Sequence, residues 1–116
     1  MNTHCTVFGI PNCDTVKKAR AWLVAQGIEH QFHDFKKQGV PQERLDRWMH
    51  ALGWQPLLNT RGPTWRKIAE EERATVSDSA SARVLMVKYP SVIKRPVVEW
   101  PGARVTVGFD AARWLA

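Results

Sequence analysis

The stretch VFGIPNCDTVKKARAWL, residues 7–23, decides how this chain folds. It opens with an apolar run that is typical of a buried strand, and the run breaks at Ile10-Pro11-Asn12. Cys13 follows at once, in the first turn of an amphipathic helical pattern. Because cysteine is a poor helix-capping residue, its place at this junction calls for a chemical explanation.

The stretch belongs to a β-α-β unit. The pattern predicts a buried strand, a helix and a second strand, over residues 4–10, 14–26 and 28–34 respectively. The helix turns Val16, Ala19 and Leu23 inward, and Gly27 ends it. If the two strands are parallel, the connection between them must be right-handed.

The middle of the chain is predicted to be helical. One helix opens at Pro41 and closes at Gly53, and its apolar positions recur at i, i+3, i+4 and i+7. These positions are Leu45, Trp48, Met49 and Leu52. A second helix begins at Ser77 or Asp78 and ends before Pro90. Its predicted buried residues are Ala82, Leu85, Met86 and Tyr89. The segment between the two helices mixes short turns with basic residues.

The end of the chain returns to strands. RPVVEWPGARVTV predicts a hairpin in which Pro101 and Gly102 occupy the centre of a type II turn. GFDAARWLA then predicts a short closing helix with Asp110 near its start. A β-α-β, helices, β-β-α order with a cysteine at the first strand-to-helix junction is the thioredoxin-like α/β arrangement, with a mixed sheet. We therefore expect one domain, 1–116, with a core of 1–38 and 91–116 and a helical insertion over about 39–90.

Composition excludes several classes of protein. At 116 residues and 44% hydrophobic content the chain suits one domain, and no apolar run is long enough to span a bilayer, which takes about 20 residues. The N-terminus lacks the pattern of a signal peptide, so we expect a soluble cytoplasmic protein.

Two cysteines make no disulfide framework, and we expect Cys5 to be a buried thiol. His30 and His33 point to opposite faces of a strand, so no metal site is expected.

The basic charge raises the question of a nucleic-acid partner. Lys and Arg exceed Asp and Glu by 17 to 11, which gives a net charge of +6. The basic residues are scattered, however, and no nucleic-acid motif accompanies them. Six tryptophans would suit stacking on bases, but Trp22 and Trp48 fall on or beside helical apolar stripes. Packing in the core is the favoured interpretation, and nucleic-acid binding is not expected.

The position of Cys13 favours a reactive thiol. Unpaired N–H groups and the positive end of the helix dipole lower the pKa of a thiol at a helix N-terminus. The Thr15 hydroxyl and the Lys17 ammonium are expected to help, whereas Asp14 opposes a second negative charge. The alternative is a cysteine that simply packs as a small apolar residue. Val16 stands where a CxxC motif has its second cysteine, so a redox cycle needs an outside thiol such as glutathione.

A resemblance to a known family makes the prediction of a reactive thiol more specific. GIPNCDTVKKARAWL, LLNTRG and YPSVIKRPVV resemble the ArsC family of arsenate-reductase-like proteins, and most of all its YffB branch. The resemblance implies a thioredoxin-like core with a helical insertion, Cys13 as the nucleophile, and Arg61 and Arg95 as ligands of an anion. It also implies a cis peptide bond at Arg95-Pro96, a type of bond at which cis costs little. By spacing alone, Arg95 is equally a surface arginine before an edge strand.

Departures from the family pattern narrow the range of expected substrates. Members that reduce arsenate resemble one another in a third arginine, where this chain has Val107 or a near neighbour, and in a histidine, where it has Gly9. A compact dianion needs several charge-assisted donors, so both losses weaken the case for arsenate. The Spx branch, which binds RNA polymerase, usually carries a CxxC motif that is absent here.

The sequence therefore predicts a monothiol, glutathione-dependent thiol/disulfide reductase that acts as a monomer, without a metal, on a small thiol or oxyanion or on a protein disulfide. Glutathione is expected to pair with the backbone of Arg95 beside Pro96 and to reach Gly108 and Asp110 at the start of the last helix. The alternative is a non-catalytic, Spx-like module that contacts RNA polymerase or another protein.

Overall fold

The computed structural model describes residues 4–114, and the elements follow the predicted order. There are four strands in this part of the chain: β1 Cys5–Gly9, β2 His30–Asp34, β3 Val97–Glu99 and β4 Val105–Val107. The helices are α1 Asp14–Ala25, α2 Phe35–Gln38, α3 Gln42–Leu52, α4 Pro63–Lys67, α5 Glu70–Arg73, α6 Ser79–Lys88 and α7 Ala111–Trp114. Short 3-10 turns span Pro90–Val92 and Pro101–Ala103.

The chain divides into two compact units. The first joins the chain up to Asp34 with the chain from Arg95 onward, and the second is Phe35–Lys94. These boundaries lie about four residues from the predicted limits of the insertion, because α2 packs on the Pro90–Val92 turn within the second unit. All four strands belong to the first unit.

A mixed sheet in the order β2-β1-β3-β4 forms the centre of the first unit. β1 runs parallel to β2, with Val7 opposite Phe32, as expected for a β-α-β unit. β3 lies antiparallel to β1, with Val7 opposite Val98, and β4 completes the sheet as an antiparallel neighbour of β3. The mixed sheet predicted from the order of elements is thus present.

Helix α1 packs on this sheet through the face that its periodicity predicts. Val16, Ala19 and Leu23 are its buried residues. Ala19 and Leu23 join Cys5 and Val7 of β1 in one apolar cluster, and Cys5 is only 1% exposed, as predicted. The helix ends at Ala25, one residue before the predicted limit, and Gly27 follows at a φ of 70°.

The terminal helix α7 is held by aromatic contacts. The Trp114 ring meets the rings of Trp22, Trp100 and Phe109 edge-on, at centroid distances of 5.6, 4.9 and 4.9 Å. The edge-to-face geometry is the one that aromatic rings favour. Trp22 and Trp114 therefore serve the core of this unit.

The hairpin of β3 and β4 is present, but its turn is longer than the predicted type II turn. Gly102 has the positive φ that a type II turn requires, at 81°. Ala103 is also left-handed, at 68°, and the Trp100 N–H donates to the Arg104 carbonyl at 2.8 Å. The connection between β3 and β4 therefore has five residues, 100–104, rather than the predicted two-residue turn.

The second unit is helical around its own core. The Phe35 and Trp48 rings pack 6.3 Å apart, and both side chains are at most 2% exposed. Asp78 begins α6 with a capping box shared with Ser81, as one of the two predicted caps. Tyr89 is half-buried rather than buried, because its hydroxyl donates to Glu72 at 2.8 Å near the surface. Between the two predicted helices the chain forms the short helices α4 and α5 instead of turns alone.

Within the described range, no helix combines the length and the apolar character that crossing a membrane requires.

Candidate active site

Cys13 occupies the N-cap position of α1. Its backbone is extended, with φ −146° and ψ 120°, and its carbonyl accepts the first helical hydrogen bond, from the Lys17 N–H at 2.9 Å. The thiol itself is half-buried and in the free, unpaired form. A side chain at this position faces the N–H groups of the second and third helical residues, which here are Thr15 and Val16.

The surroundings of the sulfur lower the pKa of Cys13 below its ordinary value of 9.0. Burial raises the pKa, but hydrogen bonds outweigh it: the Val16 N–H, the Arg95 guanidinium and the Thr15 N–H all donate to the sulfur, and the charge of Arg95 adds to the effect. Hydrogen bonds and positive charge favour the ionised form of an acid. The site therefore favours a nucleophilic thiolate.

Arg95 reaches the sulfur from the second residue before β3. The Arg95-Pro96 bond is cis, as the resemblance implied, and Pro96 is buried. Because β3 pairs with β1, with Phe8 opposite Val97, the segment before β3 lies next to the end of β1. The chain from β1 to Cys13 and the chain entering β3 therefore converge on one point.

Thr15 and Lys17, the two helix residues that the sequence assigned to the thiolate, have different surroundings. Thr15 contributes its backbone N–H rather than its hydroxyl. The Lys17 side chain is exposed and lines a groove of about 290 Å³ with Pro11, Arg20 and His30, and Lys17 is not among the groups that lower the pKa of Cys13. Arg95 supplies the positive charge instead.

Val16 is the functional residue that the sequence argument left out. Its side chain was predicted to be buried, and is, but its backbone N–H is also among the groups that lower the pKa of the Cys13 thiol. The signal was available, because the side chain of an N-cap residue accepts from the N–H of the third helical residue.

Arg61 lies in the second unit, so its predicted convergence on Cys13 stays a prediction. It is exposed, in the turn before α4. Its N–H donates to Asn59 Oδ1 at 3.1 Å, and its carbonyl accepts from Arg66 Nη2 at 3.0 Å. The backbone of this turn is thus fixed without the Arg61 guanidinium.

The residues predicted to hold glutathione frame the start of α7. The Gly108 N–H donates to the Pro96 carbonyl at 2.8 Å, which ties this end of the sheet to the cis-proline. Asp110 Oδ1 accepts from the N–H groups of Ala112 and Arg113, at 3.1 and 3.4 Å, and so caps α7. Part of the N–H set predicted for a glutathione carboxylate is therefore engaged within the protein.

Metal ligands do not cluster in residues 4–114, where no group of three or more His, Cys, Asp or Glu side chains could hold a metal ion.

Comparison with known proteins extends these findings. The model of the ArsC family matches residues 8–116. An uncharacterised protein from Haemophilus influenzae is 37% identical over 111 residues, which cover 96% of both chains. The global transcriptional regulator Spx of Streptococcus pyogenes is 28% identical over 108 residues, which cover 90% of this chain and 78% of Spx.

Two solved structures share both sequence and fold with this chain. A protein named YffB is 44% identical with a TM-score of 0.90, and the match covers 96% of both chains. An arsenate reductase (ArsC) related protein from Brucella melitensis is 48% identical with a TM-score of 0.75, over 98% of this chain and 93% of the other. The chain belongs to the ArsC family and has the thioredoxin-like fold of its arsenate-reductase-like thiol oxidoreductases.

Proposed function

We propose that this protein is a glutathione-dependent thiol/disulfide reductase that works through one cysteine, Cys13. The observation that carries the proposal is the set of donors around its sulfur: two backbone N–H groups and the Arg95 guanidinium. These groups stabilise the thiolate as the attacking species and also as the leaving group when the mixed disulfide is resolved.

A dithiol cycle is disfavoured by the nature of the second cysteine. Cys5 is 1% exposed in β1, and burial raises the pKa of its thiol. A buried thiol with a raised pKa attacks a disulfide poorly, so Cys5 is a weak candidate for a resolving residue. The cycle then takes its second thiol from solution.

The reaction balances as two thiol–disulfide exchanges. The Cys13 thiolate attacks the glutathione sulfur of a mixed disulfide, the old S–S bond breaks, and the substrate sulfur leaves as a thiolate that takes a proton. A second glutathione, as its thiolate, then attacks the glutathione sulfur bonded to Cys13. This step releases the Cys13 thiolate and oxidised glutathione. Overall, the substrate sulfur is reduced from disulfide to thiol, and the incoming glutathione is oxidised from thiol to disulfide; the glutathione sulfur that passes through Cys13 keeps its oxidation state.

The proposed site of glutathione is the surface beside Cys13. In this proposal its cysteinyl backbone pairs with the backbone of Arg95 next to Pro96, as an added strand segment. Asp110, fixed at the start of α7, accepts from the α-amino group, and a carboxylate lies near Gly108. Arg61 stays a predicted ligand of an anionic group. The net charge of +6 favours approach of an anionic peptide.

Arsenate is not the substrate that we propose. Val107 lies in β4, paired with Val97, and offers no charge where arsenate-reducing relatives resemble one another in an arginine. The proposed setting is a monomer in the cytoplasm, where glutathione is abundant, with a small or protein-bound disulfide as substrate.

The test is turnover of a glutathione mixed disulfide. Oxidised glutathione is recycled by added glutathione reductase, and consumption of NADPH is recorded for the wild type, Cys13→Ser and Cys5→Ser. We expect activity in the wild type and in Cys5→Ser, and none above background in Cys13→Ser. Equal rates in all three proteins, at the level of the uncatalysed exchange, would rule out the proposed activity. Loss of activity in both Cys13→Ser and Cys5→Ser would point to a dithiol cycle.

The similarity to Spx supports a second candidate, a module that binds RNA polymerase or another protein without catalysis. The turnover assay separates the two, because a binding module has no turnover at any glutathione concentration. Direct binding of purified RNA polymerase, unaffected by Cys13→Ser, would favour this second candidate.

A further inference from the structure

The last residue of β1, Gly9, lies directly against the Val16 side chain. A Cβ atom at position 9 would stand 2.9 Å from Val16 Cγ2 and 3.8 Å from the Cβ of Arg95. Carbon atoms in contact prefer a separation of about 3.5–4.0 Å, so not even a methyl group fits beside Val16. The φ of Gly9 lies outside the left-handed region. Space, and not backbone conformation, therefore requires a glycine here.

Both neighbours of the missing Cβ act on Cys13. The Val16 N–H and the Arg95 guanidinium are both among the groups that lower the pKa of the Cys13 thiol. Gly9 thus lies where the helix that carries one donor and the segment that carries the other approach the end of β1.

Val16 has little freedom to yield. It is 1% exposed, and a valine in a helix is largely confined to one χ1 rotamer. A side chain at position 9 would therefore displace the first turn of α1 or the end of β1 rather than only rotate a side chain. Either movement shifts the first turn of α1, which carries the Cys13 sulfur, relative to the Arg95 segment, which lies beside β1.

We propose that Gly9 is a positioning residue for the Cys13 thiolate: its missing side chain lets Val16 and Arg95 close on the end of β1 and hold their donors on the sulfur. The proposal rests on the assignment of Cys13 as the nucleophile and adds to it a residue that touches no substrate.

The experiment measures the pH midpoint of Cys13 alkylation by iodoacetamide, followed by mass spectrometry of the Cys13 peptide. Wild type, Gly9→Ala, Val16→Ala and the double variant Gly9→Ala/Val16→Ala are compared. We expect Gly9→Ala to raise the midpoint by half a unit or more, which slows alkylation below the midpoint about threefold. We expect the double variant to have the same midpoint as Val16→Ala alone, because the methyl group at position 9 then occupies the space that the valine side chain has left.

Gly27→Ala is the matched control. Gly27 stands just after α1 at a φ of 70°, with open space around its missing Cβ, so alanine there strains the backbone without crowding any neighbour. We expect Gly27→Ala to lower the melting temperature and to leave the Cys13 midpoint unchanged.

Two outcomes overturn the proposal. In the first, Gly9→Ala lowers the melting temperature but keeps the wild-type midpoint, which makes Gly9 a packing residue only. The second outcome applies if Gly9→Ala does not fold. Gly9→Val in the Val16→Ala background overfills the same space. If that double variant has the same Cys13 midpoint as Val16→Ala, the proposal is contradicted. An ordinary midpoint in the wild type itself contradicts the proposed function instead, so the two failures are distinguishable.

Discussion

The Arg95 guanidinium hydrogen-bonds to the sulfur of Cys13, across the junction of two distant parts of the chain. Cys13 starts the first helix, and Arg95 precedes the third strand by one cis-proline. The partnership depends on the pairing of β3 with β1, which brings Val97 opposite Phe8. Arg95 is therefore not a mobile surface arginine. The sheet holds it in place, next to the thiolate that it stabilises.

Replacing Arg95 should therefore change the thiol far more than replacing Lys17. We expect Arg95→Gln to raise the pKa of Cys13, because a charge and a hydrogen-bond donor leave the sulfur together. Lys17→Gln removes the same charge from the same unit and serves as the matched control. The pKa is read from the absorbance of the thiolate in a Cys5→Ser background. A larger effect of Lys17→Gln would show that the ammonium, and not the guanidinium, stabilises the thiolate.

The lowered pKa of Cys13 also predicts how activity and stability depend on pH. Activity should rise as the pH passes upward through the folded-state pKa, because the thiolate is the attacking species. The folded state binds the Cys13 proton more weakly than the unfolded state, whose pKa is near the ordinary 9.0. The resulting stabilisation is fully present above the unfolded-state pKa and is lost as the pH falls through the folded-state pKa.

Urea unfolding of the wild type and of Cys13→Ser, compared across this pH range, checks the second part of that prediction. The difference in unfolding free energy between the two proteins should grow with rising pH and then level off. A difference that shrinks with rising pH would mean that burial dominates and that the pKa of Cys13 is raised.

Local signals made much of this site predictable. The break after β1, the position of Cys13 and the inward face of α1 are read from neighbouring residues, and the structure has all three. The roles of Lys17 and Arg95 were harder to assign. Spacing of i to i+4 suggested Lys17, but a long exposed side chain has many directions available. Arg95 depends on strand pairing, a long-range contact that only the family resemblance indicated.

The turn between β3 and β4 illustrates a similar limit. Glycine tolerates a positive φ, so the left-handed Gly102 was expected from its residue type. Alanine rarely adopts that conformation, and nothing in the sequence marked Ala103 for it. The longer connection follows from the pairing of the two strands rather than from the preference of the residues within it.

Arg61 provides a test of the anion site. The hydrogen bonds that hold its turn use the backbone of Arg61, so Arg61→Gln should fold like the wild type. If its guanidinium holds an anionic substrate, losing one charge-assisted contact costs about 1.5–3 kcal/mol, or roughly 10- to 150-fold in kcat/KM. Lys67→Gln, an exposed charge in α4, is the control. Equal kinetics of Arg61→Gln and wild type would leave Arg61 as a solvated surface charge.

Asp110 combines a structural role with a proposed binding role, and three substitutions separate them. Asparagine caps a helix about as well as aspartate, whereas alanine loses the hydrogen bonds to the N–H groups of Ala112 and Arg113 at a cost of about 1 kcal/mol. Asp110→Asn should therefore keep the melting temperature, and Asp110→Ala should lower it by roughly 3–6 °C.

The affinity for glutathione should depend on the charge of residue 110 and not on its ability to cap α7. In the proposed complex the Asp110 carboxylate accepts a hydrogen bond from the α-amino group of glutathione. Titration calorimetry in a Cys13→Ser background, which prevents disulfide exchange, should show weaker binding for Asp110→Asn and weaker still for Asp110→Lys. Glu43→Gln, a carboxylate lost from α3 in the other unit, is the control for net charge. Wild-type affinity in Asp110→Asn, together with a lowered melting temperature in Asp110→Ala, would reduce Asp110 to a helix cap and move glutathione away from α7.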